Sequence, residues 1–85
     1  MKYKKLINEA SIKIEEDEVA KIERIVINKT GEEEIRFSWW KDNGVRFIRT
    51  PLDLTEENWL KLIEAGIEEE VFSDKFIKEL RELLK

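Results

Sequence analysis

The sequence predicts one α+β domain, in which a four-stranded antiparallel sheet precedes two C-terminal helices packed on one of its faces. Two patterns and the chain length support this prediction. Apolar residues alternate or are β-branched over about 10–50, whereas they follow helical spacing over 55–84. A chain of 85 residues suits a single hydrophobic core. Because strands are grouped before helices, an antiparallel sheet with helices on one side is expected.

The first two strands are indicated by their apolar residues. Ile12 and Ile14 alternate with polar residues, as in a half-buried strand. Four acidic residues at 15–18 then predict a charged turn. The β-branched residues within 20–28 favour a second strand over a helix. Gly31 is available for a positive φ in the turn that follows.

The third strand, predicted over 34–40, has two contrasting faces because side chains alternate along a strand. One face is apolar and carries Ile35, Phe37 and Trp39. The opposite face mixes a cation with an aromatic ring and carries Arg36, Ser38 and Trp40. If the apolar face contacts the helices, the cation and the second tryptophan face outward.

A fourth strand is predicted over 45–50, after a tight turn at 42–44. Strands three and four are therefore expected to form a hairpin. Alternation leaves the orientation of the fourth strand open, because each of its faces carries both a cation and an apolar residue. One face has Phe47 and Arg49, and the other has Arg46, Ile48 and Thr50.

Both helices have clear N-terminal signals. Thr55 and Ser73 are the predicted N-caps, and each follows an apolar residue placed for a hydrophobic staple. The first helix is expected to bury Trp59, Leu60, Ile63 and Ile67. The second is expected to bury Phe76, Ile77, Leu80, Leu83 and Leu84. Together they carry more apolar surface than one small sheet face covers, so a homodimer formed through the helices is also expected.

The composition argues against catalysis. The chain has no cysteine and no histidine, so it lacks thiolate ligands, the commonest general base and the commonest transition-metal ligand. The acidic run 15–18 lacks the spaced oxygens and the glycine of a hard-cation loop, and 68–70 is interpreted as a solvated helix end. No serine has a histidine to activate it. We therefore predict a protein that acts by binding, with no metal, no cofactor and no small-molecule substrate.

A cytoplasmic location is expected by default. The first residues lack the apolar core of a signal peptide. No stretch approaches the roughly 20 apolar residues of a membrane span.

The charge is unevenly distributed along the chain. The net charge is −4, yet residues 21–51 carry seven basic and five acidic residues, whereas 52–85 carry five basic and ten acidic ones. Cations interleaved with aromatic rings suit single-stranded nucleic acid, because bases stack on the rings and phosphates contact the cations. The predicted nucleic-acid-binding residues are Arg24, Lys29, Arg36, Trp40, Lys41, Arg46 and Arg49. The alternative is that these cations only pair across neighbouring strands.

Two stretches of the chain form a distinctive pattern. They are Ile35-Arg36-Phe37-Ser38-Trp39-Trp40, followed by a glycine turn and a basic segment, and Leu52-Asp53-Leu54-Thr55-Glu56-Glu57-Asn58-Trp59-Leu60-Lys61-Leu62. This pattern resembles the transcriptional coactivator family of the positive-cofactor-four type. The resemblance covers about 20–65. It implies a curved four-stranded antiparallel sheet followed by a helix, dimerisation through the helix region, and binding of single-stranded DNA along the sheet.

Carried over to this sequence, the resemblance makes Arg36 and Trp40 sheet-face contacts, and Arg46 and Arg49 phosphate contacts. There are three departures from the family pattern. Residues 49–52 read Arg-Thr-Pro-Leu in place of a Gly-Lys-Gly-like segment, the preceding basic strand carries fewer cations, and the second helix has no counterpart in the shortest members.

The leading hypothesis is therefore a homodimeric, sequence-tolerant single-stranded DNA-binding protein acting in transcription or DNA replication. The chief alternative is a protein-interaction module that uses the acidic helices or the exposed hairpin edge. A carboxylate enzyme is a third alternative, but it needs a cleft that so short a chain scarcely builds. The first two differ in one respect: DNA binding requires outward cations that neighbours such as Glu23 and Glu34 do not neutralise.

Overall fold

The computed structural model describes residues 4–85 and has the predicted α+β architecture. Its elements are β1 (Lys4–Lys13), β2 (Val19–Ile27), β3 (Glu33–Lys41), β4 (Arg46–Ile48), α1 (Glu56–Glu68) and α2 (Asp74–Leu83). The four strands form one antiparallel sheet in chain order. The prediction of a four-stranded antiparallel sheet followed by two helices is confirmed.

The strand boundaries differ from the predicted ones at both edges of the sheet. β1 begins at Lys4 instead of near residue 10, and its pairing is irregular around Ile7, because Leu6 lies opposite Ile25 while Asn8 lies opposite Arg24. An extra residue of this kind interrupts the two-residue alternation. The sequence pattern therefore did not mark this part of the strand. At the other edge, β4 has only three residues.

The tight turn at 42–44 formed as predicted. Asp42, Asn43 and Gly44 all have positive φ values, of 54°, 56° and 96°. The backbone N–H of Asn43 also donates to the carbonyl of Asp17 at 2.8 Å. The β3–β4 hairpin is thus tied to the acidic turn between β1 and β2.

The core lies between α1 and one face of the sheet. Its buried apolar residues are Ala10, Ala20, Ile22, Leu62 and Val71. A methyl group added at Gly66 would lie 3.1 Å from both Ile22 Cδ1 and Phe72 Cε2. The glycine therefore permits the close approach of α1 to the sheet.

The predicted capping residues are confirmed. Thr55 Oγ1 accepts a hydrogen bond from the backbone N–H of Asn58, and Ser73 Oγ accepts one from that of Phe76, each at 3.1 Å. Both side chains satisfy a backbone donor that the first helical turn leaves unpaired.

The predicted buried residues of the helices are only partly confirmed, because Trp59 packs against the core whereas Leu60 and Ile67 are exposed. α1 buries Leu62 and Gly66, while Leu60 keeps 70% of its surface exposed. Leu62, Gly66 and Trp59 lie on the side of α1 that faces the core, so Leu60 and Ile67 lie on its outer side. α2 buries none of its residues. No helix in the described part of the chain is long and apolar enough to cross a membrane.

Candidate nucleic-acid interface

One face of the sheet is left uncovered by α1. Phe37 on β3 contacts Trp59 of α1 edge to face, with the ring centroids 5.0 Å apart, so this side of β3 faces the helix. Alternation places the neighbouring residues of β3 on the other side, as the sequence predicted. We call this other side the open face. Its central side chains are Lys21 and Glu23 on β2, Arg36, Ser38 and Trp40 on β3, and Phe47 on β4.

Two aromatic rings and two cations form a cluster on the open face. The ring centroids of Trp40 and Phe47 are 5.3 Å apart, with the rings inclined at 61°. Lys21 Nζ lies 4.2 Å from the centroid of Trp40, and Arg36 Cζ lies 6.0 Å from that of Phe47. We call these four residues the aromatic–cation cluster. Its rings offer apolar surface, and its cations lie beside them.

Two members of this cluster were not among the predicted site residues. Lys21 joins it because the register places it opposite Ser38, next to Trp40. Phe47 joins it because it lies directly opposite Trp40 across the hairpin. No local motif marks either residue, since each position depends on pairing between strands. The orientation of the fourth strand, which alternation left open, follows from the second of these pairs.

A buried carboxylate organises the centre of the open face. Glu23 is only 5% exposed, and its Oε1 accepts hydrogen bonds from Arg36 Nη2 at 2.6 Å and Nε at 3.0 Å. The Ser38 hydroxyl donates to the same oxygen at 3.3 Å and accepts from Trp40 Nε1 at 2.7 Å. The network compensates the charge of Arg36 and fixes the indole of Trp40.

The pKa of Glu23 is raised above its ordinary value. Burial is the main cause, and the Glu9 carboxylate directly opposite on β1 adds to it. The Ser38 hydroxyl and the Lys21 ammonium lower the pKa but do not outweigh these effects. Glu23 therefore takes up a proton more readily than an exposed glutamate.

Arg24 lies on the face opposite to the predicted one. It shares the helix side of β2 with Ile22, a core residue. Its Nη1 donates to the carbonyl of Val71 at 2.9 Å, and its Nε donates to Glu33 Oε1 at 2.5 Å. Because apolar residues occupy both faces of β2, alternation did not show this orientation. Arg24 joins the sheet to the segment between the helices.

Lys41 and Arg46 also lie away from the aromatic–cation cluster. Lys41 Nζ is 5.5 Å from the ring centroid of Trp39, which is on the helix side of the sheet. Arg46 lies opposite Lys41 and forms an ion pair with Asp42 at 3.2 Å. Of the predicted site residues, only Arg36 and Trp40 belong to the cluster.

The remaining predicted cations lie at the ends of strands. Lys29 is exposed in the turn after β2, and Arg49 is exposed directly after β4. Among the predicted arginines, Arg24, Arg36 and Arg46 each have a carboxylate partner. Within residues 4–85, Lys21, Lys29 and Arg49 form no ion pair with a carboxylate. These three cations thus differ from Arg36 in forming no close ion pair, although the Lys21 ammonium still acts electrostatically on Glu23.

No protein-family model, curated protein or solved structure matches this chain. In the described part of the chain, no group of three acidic residues is placed to hold a metal ion. The resemblance to the coactivator family thus stays a prediction.

Proposed function

We propose that this chain binds single-stranded nucleic acid on the open face, without catalysing a reaction, and that DNA is its ligand. The aromatic–cation cluster is the observation that supports the proposal. An aromatic platform contributes about 1–3 kcal/mol for each stacked base and accepts any base, because every base has a π face. Binding is therefore sequence-tolerant. The predicted cytoplasmic location and a role in transcription or replication belong to the same proposal.

The two rings act as separate platforms. Trp40 and Phe47 are inclined at 61°, so one flat base cannot stack on both. Lys21 lies over the Trp40 ring, and a base that stacks on that side must displace it. The displaced ammonium is then free to contact a phosphate.

The phosphate contacts are assigned to Lys21 and Arg49. Both lack a carboxylate partner in the described part of the chain, and Arg49 lies two residues after Phe47. Arg36 is not assigned to phosphate, because leaving Glu23 would strand a buried carboxylate without its partner. Its role is to hold Glu23 and, through it, the cluster.

Fluorescence anisotropy with a labelled oligo-dT tests the proposal. An oligonucleotide of about 20 nucleotides is longer than the roughly 4–16 nucleotides that one single-strand-binding domain typically covers. We expect salt-sensitive binding that a duplex of equal length does not reproduce, and an oligo-U arm compares DNA with RNA. Trp40→Ala and Phe47→Ala should each weaken binding by about 5- to 150-fold, the loss of one stacked base. Lys21→Ala should make the salt dependence shallower by about 0.7 in log–log slope.

Lys41→Ala is the matched control. It removes a lysine next to Trp40 in sequence but on the helix side of the sheet. Its affinity should stay at the wild-type level. No binding of oligo-dT at low salt, or equal losses in Lys41→Ala and Lys21→Ala, would contradict the proposal.

A second candidate function is protein binding through the helices. Apolar residues such as Leu60 and Leu83 keep 70% and 81% of their surface exposed, respectively. Scattered exposed apolar residues are ordinary, but these lie at helical spacing on amphipathic helices.

A further inference from the structure

The outer side of α1 carries an apolar groove. Its floor is formed by Leu60, Ile63 and Ile67, and its borders by Glu57, Lys61, Glu64 and Glu68. We call this surface the α1 groove. It lies on the side of α1 that faces away from the sheet, so it is independent of the nucleic-acid interface.

α2 has an apolar side that is only partly covered, and its C-terminal leucines are exposed. The residues at helical spacing on this side are Phe76, Ile77, Leu80, Leu83 and Leu84. Phe76 stacks on Phe72, with the ring centroids 5.1 Å apart, which anchors the first turn. Beyond that contact, Leu83 is 81% exposed. A helix of ten residues is marginal in water on its own, so α2 needs a further surface to pack against.

The two apolar surfaces do not cover each other within one copy. The lining of the α1 groove comes from α1 alone, and the C-terminal leucines of α2 remain exposed. Each copy thus offers a groove and a helix of the kind that fills such grooves.

The charges of the two helices favour a contact between α1 and α2. α1 carries four acidic residues and one basic residue, whereas α2 carries three of each. Two α1 grooves placed together would bring like charges into contact, while α2 offers Lys78 and Arg81 to the acidic residues of α1. The charge pattern therefore favours α2 as the occupant of the α1 groove.

We propose that α2 of one copy docks its apolar side into the α1 groove of a second copy, and that the second copy returns the contact. Two identical contacts related by a two-fold axis close the assembly as a dimer. The sequence predicted a dimer through the helices; the structure adds which helix occupies which surface. The contact does not depend on the proposed nucleic-acid function.

Sedimentation equilibrium across micromolar concentrations, without nucleic acid, is the first test. We expect a species of twice the 10.2 kDa chain mass. Ile67→Glu in the α1 groove and Leu83→Glu in α2 should each weaken association at least about tenfold, the effect of 1.4 kcal/mol. Val45→Glu is the matched control, because Val45 is 80% exposed in the β3–β4 turn and belongs to neither helix. Circular dichroism checks that each variant is folded.

Exchanged charges identify the contact. A chain with Glu64→Lys and Glu68→Lys should dimerise poorly, and so should a chain with Lys78→Glu and Arg81→Glu. Mixing the two should restore association, because each contact in the mixed dimer again joins opposite charges. A dimer formed by two α1 grooves would instead leave the chain with Lys78→Glu and Arg81→Glu associating as the wild type does, because the α1 of that chain is unchanged.

An engineered disulfide between α1 and α2 shows whether α2 docks on the α1 groove of a second copy or on that of its own chain. The chain has no cysteine, so Ile63→Cys with Leu80→Cys creates the only thiol pair. Oxidation should yield covalent dimers. A monomer at every concentration, a dimer indifferent to Leu83→Glu, or a disulfide within one chain would each overturn the proposal.

Discussion

At the scale of single residues, Glu23 controls the open face. Its carboxylate holds Arg36 directly and Trp40 through the Ser38 hydroxyl, and it is almost fully buried. The same contacts that fix the Trp40 platform remove the charge of Arg36 from the surface. Glu23 thus holds the Trp40 ring in position for base stacking, and it reduces the attraction of Arg36 for phosphate.

Replacing Glu23 by glutamine should increase affinity for oligo-dT. The amide oxygen can still accept a hydrogen bond from Arg36, but the negative charge is gone and the guanidinium is free to attract phosphate. One added phosphate contact should make the salt dependence steeper by about 0.7 in log–log slope. Anisotropy titrations across salt concentrations measure this slope.

Glu34→Gln is the control for that experiment. Glu34 lies on the same face of β3 and is exposed, so its replacement removes an equal charge without releasing an arginine. If both variants steepen the salt dependence equally, the role assigned to Glu23 is contradicted.

The raised pKa of Glu23 predicts the direction of a pH effect on stability. A folded-state pKa above the ordinary value of a glutamate means that the folded protein holds this proton more tightly than the unfolded chain does. The contribution is complete below the unfolded pKa and is lost as pH rises through the folded pKa. Urea unfolding of the wild type and of Glu23→Gln measures this effect. As pH rises through this window, the free energy of unfolding of the wild type should fall relative to that of the variant. A difference that grows with rising pH would refute the assigned direction.

At the scale of elements, the two helices have the same type of N-cap but different surroundings. α1 packs on the sheet through Leu62, whereas α2 buries none of its residues. The first helix belongs to the core of one copy. The second is stabilised, in our proposal, by the neighbouring copy.

The two N-cap variants should therefore have different effects. Thr55→Ala should lower the free energy of unfolding of the monomer by about 1 kcal/mol, the usual effect of losing a cap. Ser73→Ala should leave that value nearly unchanged and weaken dimerisation instead, because α2 must be helical to dock. Urea unfolding at low concentration and sedimentation at high concentration measure the two effects. Equal losses of monomer stability would show that α2 belongs to the core of one copy.

At the scale of the whole molecule, local sequence signals predicted the order of strands and helices. Pairing between distant strands determined which residues form the aromatic–cation cluster. The N-caps at Thr55 and Ser73 and the turn before Val45 depend on a few adjacent residues, and all formed as predicted. Membership of the cluster depends on register between strands, which is why Lys21 was missed and Arg24 was placed on the wrong face. Leu62 was missed because apolar residues lie around much of α1, so helical spacing alone did not distinguish its buried side from the side that carries Leu60 and Ile67.

The molecule separates its two proposed surfaces. The open face lies on one side of the sheet, while α1, with the α1 groove on its outer side, lies on the other. A polyanion is repelled by the net charge of −4, so its binding depends on the few unpaired cations near the rings. We therefore expect affinity to fall steeply as salt screens these contacts.

The most direct test of the central claim uses the three indole N–H signals of the protein in an NMR titration with oligo-dT. Trp40 lies on the open face, whereas Trp39 and Trp59 lie on the helix side of the sheet and serve as controls within the same molecule. Binding on the open face predicts that the Trp40 indole signal shifts progressively while the other two stay near their starting positions. Shifts confined to Trp39 and Trp59, or no shift at any oligonucleotide concentration, would contradict the proposed interface.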